Sequence, residues 1–240
     1  MNILSISHIY NEGLYLEDSY NYLKDNGVNQ FLYVDNMSTD NSNEFLKDKK
    51  DCIVHRFNTG GSFHLLDLQK EMFKHVHEIK PDWVIYTDPD LFYSYEGTIA
   101  EEIHKAEYYG CNQISTMCWG ALNTGEQFKL PLRKHFFYGV HWKPITRLSK
   151  YDVTLYPEGD NLFCSDPVLY QSTGIVINYG GCKEAIDQDE KLERIIKARK
   201  QGQRSGIGTH YSKYKAKGYL WNKAELQDLR TVKLIKKLID

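Results

Sequence analysis

Two carboxylates one residue apart, Asp88 and Asp90 in Thr87-Asp88-Pro89-Asp90, follow the apolar run Trp83-Val84-Ile85-Tyr86. Successive residues of a strand point to opposite faces, so the pair is expected to project to one side at a strand end. Pro89 between them restricts the backbone and donates no ladder hydrogen bond, which suits such a place. Paired carboxylates are hard oxygen ligands for Mg2+ or Mn2+, and an ion held there can clamp a diphosphate. The pattern is common by itself and takes its weight from two polar clusters upstream. One is His8-Ile9-Tyr10-Asn11-Glu12; the other is Asp35-Asn36-Met37-Ser38-Thr39-Asp40. Asp35 is placed to accept hydrogen bonds from a nucleobase imide or a ribose hydroxyl, with Asn11 and Glu12 lining the same pocket. Ser38, Thr39 and Asp40 offer capping chemistry to a following helix, and a plain polar turn is the alternative for that segment.

The elements that must position these residues alternate. A strand is expected at 2–7, then a helix over about 13–26 with Leu16, Tyr20 and Leu23 on one face and Gly27 as a stop. Strands follow at 31–34 and 52–57 with a short polar helix, 41–49, between them. Ser62 reads as the N-cap of a longer helix carrying Leu65, Leu68, Met72, Val76 and Ile79; Pro81 ends it and a strand at 83–87 follows. This βαβαβαβ order predicts an α/β fold, a mostly parallel sheet with helices on both faces. Ligands of such sheets bind beyond the carboxyl ends of the strands, where all three clusters fall. Further along, the pattern predicts a helix over 96–109, a strand at 113–118, short strands and loops over 120–170, and a strand at 175–177. Helices are expected over 183–201 and after an Asn222/Glu225 capping box. With no repeat and no linker, residues 1–240 read as a single domain.

Net charge is -2 and 26% of residues are charged, so nothing global points to a nucleic acid or a membrane. Five cysteines without a CxxC indicate neither a zinc site nor a disulfide framework, and suit a reducing compartment. No basic leader precedes the first strand and no run reaches membrane-spanning length, so a cytoplasmic protein is expected, peripheral if it meets a membrane. The nine histidines form no HExxH. His75 and His77, at i and i+2 of a helix, point to different sides and read as surface residues. His135 and His141 bracket an aromatic stretch that suits an acceptor loop or a core segment. Gly60-Gly61 before the Ser62 cap can bring backbone amides to a phosphate, or form an ordinary turn. Residues 191–217 carry nine Lys/Arg against one acid, Glu193, with Tyr211 and Tyr214 interleaved. That reads as a solvated face or an anion-binding segment.

Tyr10-Asn11-Glu12, then Asp35-Asn36-x-Ser38-Thr39-Asp40, then Asp82-Trp83-Val84-Ile85 leading to Asp88-x-Asp90, resembles the family 2 glycosyltransferases of GT-A fold, over about residues 2–93. The resemblance implies a nucleotide-diphosphate sugar donor, most often UDP-linked, a divalent metal (Mn2+ or Mg2+), and inversion at the anomeric carbon. It assigns the donor to residues 1–93, through Tyr10, Asn11, Glu12, Asp35, Asn36, Ser38, Asp40 and Asp88, beside the Gly60 candidate given above, and the acceptor to 94–240. Metal ligation falls to Asp88 and Asp90. The family often has Asp-Glu where this chain has Leu91-Phe92, and many relatives a His-Tyr pair where it has Asn178-Tyr179. His210, in the later His210-Tyr211, is the candidate third ligand; otherwise two aspartates and water suffice. The family places a catalytic base downstream, and Asp152, Glu158, Asp160 and Asp166 are candidates. Asp160, followed by Glu158, is favoured because Gly159 lets that loop approach a ligand. The acceptor is expected to be a glycan or lipid-linked glycan, with DNA bearing hydroxylated bases ranked below it. The alternative is a noncatalytic nucleotide- or polyanion-binding protein on the same scaffold. A nucleotidyltransferase ranks third, because His8–Glu12 is acidic and lacks the glycines of a phosphate loop.

Overall fold

The computed structural model of the chain describes residues 1–60, 63–120, 140–159 and 161–178, with 119–120 and 140–143 as backbone only. In chain order the elements are β1 (Ile3–Ile9), α1 (Leu16–Asp25), β2 (Gln30–Asp35), α2 (Ser42–Leu46), β3 (Cys52–Arg56), α3 (Leu65–Ile79) and β4 (Trp83–Tyr86). They continue as β5 (Leu91–Ser94), α4 (Ile99–Tyr108), β6 (Gln113–Gly120), β7 (Val140–Lys150), β8 (Tyr156–Glu158), β9 (Asn161–Phe163) and β10 (Leu169–Asn178).

Eight strands form one sheet in the order β3-β2-β1-β4-β7-β6-β10-β5, and β8–β9 make a separate hairpin. The block β3-β2-β1-β4 is parallel throughout, as the alternating pattern predicts. β6 and β10 are also parallel, while β7 runs against β4 and β6, and β5 against β10. The fold is therefore α/β, with a mostly parallel central sheet flanked by helices.

Burial on both faces explains the composition of the central strands. Ile3 and Ile9 of β1, Phe31 and Tyr33 of β2, and Trp83 and Ile85 of β4 pack with Leu16, Tyr20 and Leu23 of α1 and Ile99 and Ile103 of α4. The intervening residues Leu4, Ile6, Leu32, Val34, Val84 and Tyr86 pack on the other face against Leu68, Met72 and Val76 of α3. Strand alternation thus feeds two cores from one sheet, and each fully buried Leu or Ile contributes about 1.5–3 kcal/mol. α4 opens with a capping box: Glu101 N–H donates to Thr98 Oγ1 at 3.2 Å, and Thr98 N–H to Glu101 Oε2 at 2.7 Å.

Several sequence expectations are corrected. α3 starts at Leu65 with His64 in the cap position, not at a Ser62 cap. Residues 91–94 form β5, which was not expected; four residues buried nearly all round show no readable period. The region read as short strands and loops holds the eleven-residue β7, whose buried positions include the polar Arg147 and Ser149, so its apolar pattern is broken. β10 has ten residues rather than three, because its first half carries Gln171, Ser172 and Thr173. The helices expected over 183–201 and after Asn222 lie outside the described residues. No described helix is long and apolar enough to cross a membrane.

Candidate functional site

β4 ends at Tyr86, and the chain then turns instead of continuing extended. Leu91 N–H donates to Asp88 O at 2.9 Å, closing a turn over Asp88-Pro89-Asp90-Leu91. Pro89 holds the second position of this turn, where its fixed φ is favourable. The two aspartates are therefore not alternate residues of one strand, and their environments differ. The Asp88 side chain is 28% exposed, whereas Asp90 is 5% exposed. This corrects the expectation that strand alternation presents both to one side.

Asp88 has a cationic partner that sequence reasoning missed. Arg147, on β7, is buried and donates from Nη1 to Asp88 Oδ2 at 3.1 Å and to Tyr86 O at 3.3 Å. Its guanidinium also lies 5.0 Å from the centre of the Tyr86 ring. A charge-assisted hydrogen bond in a shielded place is stronger than one in water. The other oxygen, Asp88 Oδ1, lies 3.8 Å from His8 Nε2 near the end of β1. Behind the turn, burial pushes the Tyr93 phenol well above its ordinary value, although Arg147 works in the other direction.

The loops after β1 and β2 are stitched together by the very side chains the motifs supply. Asn11 N–H donates to Ser38 Oγ at 3.0 Å, Glu12 N–H to Ser42 Oγ at 3.2 Å and Gly13 N–H to Asp40 Oδ2 at 2.8 Å. In return Asn11 Oδ1 accepts from the N–H groups of Thr39 at 2.8 Å and Asp40 at 3.3 Å. Asn11 itself has φ 54°, a conformation Asn tolerates better than most residues. A Cβ on Gly13 would run into the Asn41 side-chain amide and fall 2.9 Å from the Asp40 carboxylate, so glycine there allows the close approach. Asn36 Oδ1 accepts from Thr59 Oγ1 at 2.7 Å, tying in the segment before α3. Gly60, with φ 68°, donates its N–H to Asn58 Oδ1 at 2.7 Å. Tyr10 and Glu12 are half-buried on the same rim.

Asp35 is fully buried and heavily engaged. Oδ1 accepts from Ser38 N–H at 2.8 Å, and Oδ2 from Asn43 Nδ2 at 2.9 Å. Arg56 Nε lies 3.3 Å from Oδ2. Three donors converge on the carboxylate and shape the turn between β2 and α2.

The downstream segments return to this rim. Asn178, the last residue of β10, pairs with Leu91, one residue past Asp90. Gly159, in the β8–β9 turn with φ 58°, accepts from Gln69 Nε2 at 2.7 Å, and the same nitrogen donates to Tyr86 OH at 3.0 Å. The exposed Glu158 precedes it. Asp160, Gly61, Ser62, His135, His210 and the basic segment lie outside the described residues. Two further acid candidates stand at the other end of the sheet. Asp152 follows Tyr151, whose N–H donates to Asp82 O before β4, and its carboxylate accepts from Thr154. Asp166 O accepts from Asn112 Nδ2 before β6. Arg147 left no sequence signal beyond being a cation in an otherwise strand-like stretch; only the β4–β7 pairing brings it to Asp88.

Asn11→Ala is expected to destabilise the protein by about 2 kcal/mol, through lost hydrogen bonds and a left-handed backbone that alanine tolerates poorly. Asn11→Gly should recover the backbone share, roughly half of the loss. Chemical denaturation of the two variants checks this.

No family model matches the chain, and no curated protein matches it in sequence. Among solved structures, the chain is similar to glucosyl-3-phosphoglycerate synthase from Mycobacterium tuberculosis, a complex with Mn2+, UDP and glucosyl-3-phosphoglycerate. Identity is 13% and the TM-score 0.34, over 49% of this chain and 44% of that one. The chain thus spans less than half the length of that synthase. A putative glucose-1-phosphate thymidylyltransferase from Bacillus anthracis, in complex with a sucrose, matches at 8% identity and TM-score 0.40, over 81% of this chain and 95% of the other. The 4-diphosphocytidyl-2C-methyl-D-erythritol synthase from Anaerococcus prevotii matches at 11% identity and TM-score 0.36, over 82% and 98%.

Proposed function

We propose that the chain is a glycosyltransferase that moves a sugar from a nucleotide-diphosphate donor, UDP-linked by preference, to an acceptor hydroxyl with inversion. One observation supports this above others: the polar clusters after β1, β2 and β4 share a single rim, with His8 beside Asp88 and Asn11 bonded to the 38–40 loop. The motif resemblance supplies the substrate class. In this reading residues 1–93 hold the donor and the rest of the chain shapes the acceptor side.

The donor set fits a hard divalent cation in part. Asp88 Oδ1 and the Asp90 carboxylate are oxygen ligands of the right kind, while Asp88 Oδ2 is committed to Arg147. Bound there, Mn2+ or Mg2+ would offset negative charge on the leaving diphosphate. Arg147 holds Asp88 in orientation. Asp35, through Ser38 and Asn43, fixes the turn that carries the nucleoside side of the rim. The loop of Glu158, Gly159 and Asp160, anchored to α3 by Gln69, supplies the carboxylate that takes the acceptor proton. Asp160 is the preferred base. Asn178 or His210 completes the ion's surroundings.

Thermal melting against UDP- and GDP-sugars, with and without Mn2+, tests the reading. A ligand that binds only the native state raises the melting temperature by mass action. A metal-dependent rise with one nucleotide sugar, followed by release of free nucleotide, is the expected result. A second reading, a noncatalytic nucleotide- or polyanion-binding protein, draws support from the full engagement of Asp35 and the pairing of Asp88 with Arg147. A rise with polyanions and none with any nucleotide sugar would select it.

A further inference from the structure

Away from the strand-end rim, three side chains from two elements meet on the α3 face of the sheet edge. His55 lies on β3, the edge strand, and Glu71 and His75 lie one turn apart on α3. His55 Nε2 is 3.1 Å from Glu71 Oε1, and His75 Nε2 is 3.5 Å from the same oxygen. The two imidazoles are 4.8 Å apart, centre to centre, and inclined at 55°. Among the described residues this is the only group of three or more His, Cys, Asp or Glu whose ligand atoms all lie within 4.8 Å of one another.

We infer that His55, Glu71 and His75 form a binding site for a divalent transition-metal ion of the zinc class, separate from the Asp88 turn. Four ligands placed tetrahedrally at zinc bond lengths stand about 3.3 Å from each other. The two nitrogen-to-oxygen separations, 3.1 and 3.5 Å, bracket that spacing. Two imidazoles and one carboxylate are donors that zinc accepts and that Mg2+ or Ca2+ do not favour.

Second contacts complete the case. His75 Nδ1 is 3.2 Å from Glu78 Oε2, so an Nδ1 proton donated to that carboxylate leaves Nε2 as the lone pair facing Glu71. Metal-binding histidines commonly carry such a carboxylate on the far nitrogen. His75 Nε2 is buried and has no hydrogen-bond partner, an unusual state for a polar atom that an ion would relieve. Lys74 Nζ, 3.6 Å from Glu71 Oε1, is the competing cation, but its side chain is 62% exposed and can leave for solvent. The three ligand side chains are 17–36% exposed, so an ion has an entry path and room for water in the remaining positions. The signal escaped the sequence because its third member is sixteen residues upstream of Glu71 and only the β3–α3 packing brings it near.

Such an ion clamps the edge strand to the helix beside it. It also fixes the residue before Arg56, the strand-end cation that meets Asp35. The test uses the full chain stripped with chelator, titrated with Zn2+ by calorimetry and with Co2+ by visible absorption. The expected result is one saturable ion per chain, the absorption bands of low-coordinate Co2+, and a melting temperature raised by Zn2+. His55→Ala and His75→Ala should each abolish these, and Glu78→Gln should weaken binding roughly tenfold. His55 is partly exposed and its variant is the one to rely on if His75→Ala does not fold. Asp88→Ala should leave Zn2+ binding unchanged, which separates this site from the proposed donor site. Absence of one-to-one binding, or binding indifferent to His55→Ala, overturns the inference.

Discussion

Asp88→Ala is expected to abolish sugar transfer and, in addition, to lower the melting temperature by ~4–8 °C. The turn residue is not only a candidate ligand; it is the counter-ion of buried Arg147, at 3.1 Å. Removing one member of a fully buried ion pair costs about 3–5 kcal/mol, because the other charge is left without compensation. Asp88 keeps 28% of its side-chain surface, and water can reach part of the site, so about 2 kcal/mol is expected here. In a chain of this size each kcal/mol moves the melting temperature by roughly 2–4 °C. A pair of variants separates the fold from the chemistry. Arg147→Met combined with Asp88→Leu removes both charges and should regain most of the stability. Turnover should not return, since no carboxylate stands at 88. Calorimetric melting and nucleotide release on the same preparations check both halves. Full turnover in Asp88→Ala would sink the assignment of the turn to the active site.

Asp35→Asn is expected to cost about as much as Asp35→Ala, roughly 2–3 kcal/mol. The usual view of Asn as the milder change fails where every neighbour is a donor. Ser38 N–H, Asn43 Nδ2 and Arg56 Nε all point at a carboxylate with no exposed surface. An amide can offer its oxygen to one side only, and its NH2 then faces another donor. The damage should spread, because Ser38 also accepts from Asn11 N–H and so joins the two loops of the rim. Nucleotide affinity should fall in both variants. Denaturant midpoints at neutral pH decide the point: an Asn variant within a few tenths of a kcal/mol of wild type would show that Asp35 is not held by these three donors as described.

How much of this was legible beforehand depends on the length scale of each signal. The order β1-α1-β2-α2-β3-α3-β4 could be read because each element carries its own period, Leu16, Tyr20 and Leu23 on a helix face or Phe31 to Val34 in a strand. Local apolar periodicity reports which face is buried before any partner is known. The polar clusters were legible for the same reason, as each is contiguous and follows a strand. β7 was not, because Arg147 and Ser149 occupy buried positions and break the apolar pattern. The roles within the clusters were also hidden. Asn11, Ser38 and Asp40 read as ligand contacts; the hydrogen bonds that Asn11 makes to Ser38 and to the Asp40 backbone across the two loops could not be read.

The sequence by itself thus determined that this is an α/β chain whose acidic and amide residues gather at the carboxyl ends of parallel strands. Strand order, and through it the meeting of distant residues, was decided only by tertiary structure. Pairing of β7 with β4 sets Arg147 on Asp88, and pairing of β10 with β5 sets Asn178 beside the turn. Packing of α3 on the sheet edge joins His55 to Glu71 and His75. The physical reason is common to all three. A buried charge or a shared ligand is satisfied by whatever the fold brings within a few ångströms, and sequence separation leaves no trace of that distance.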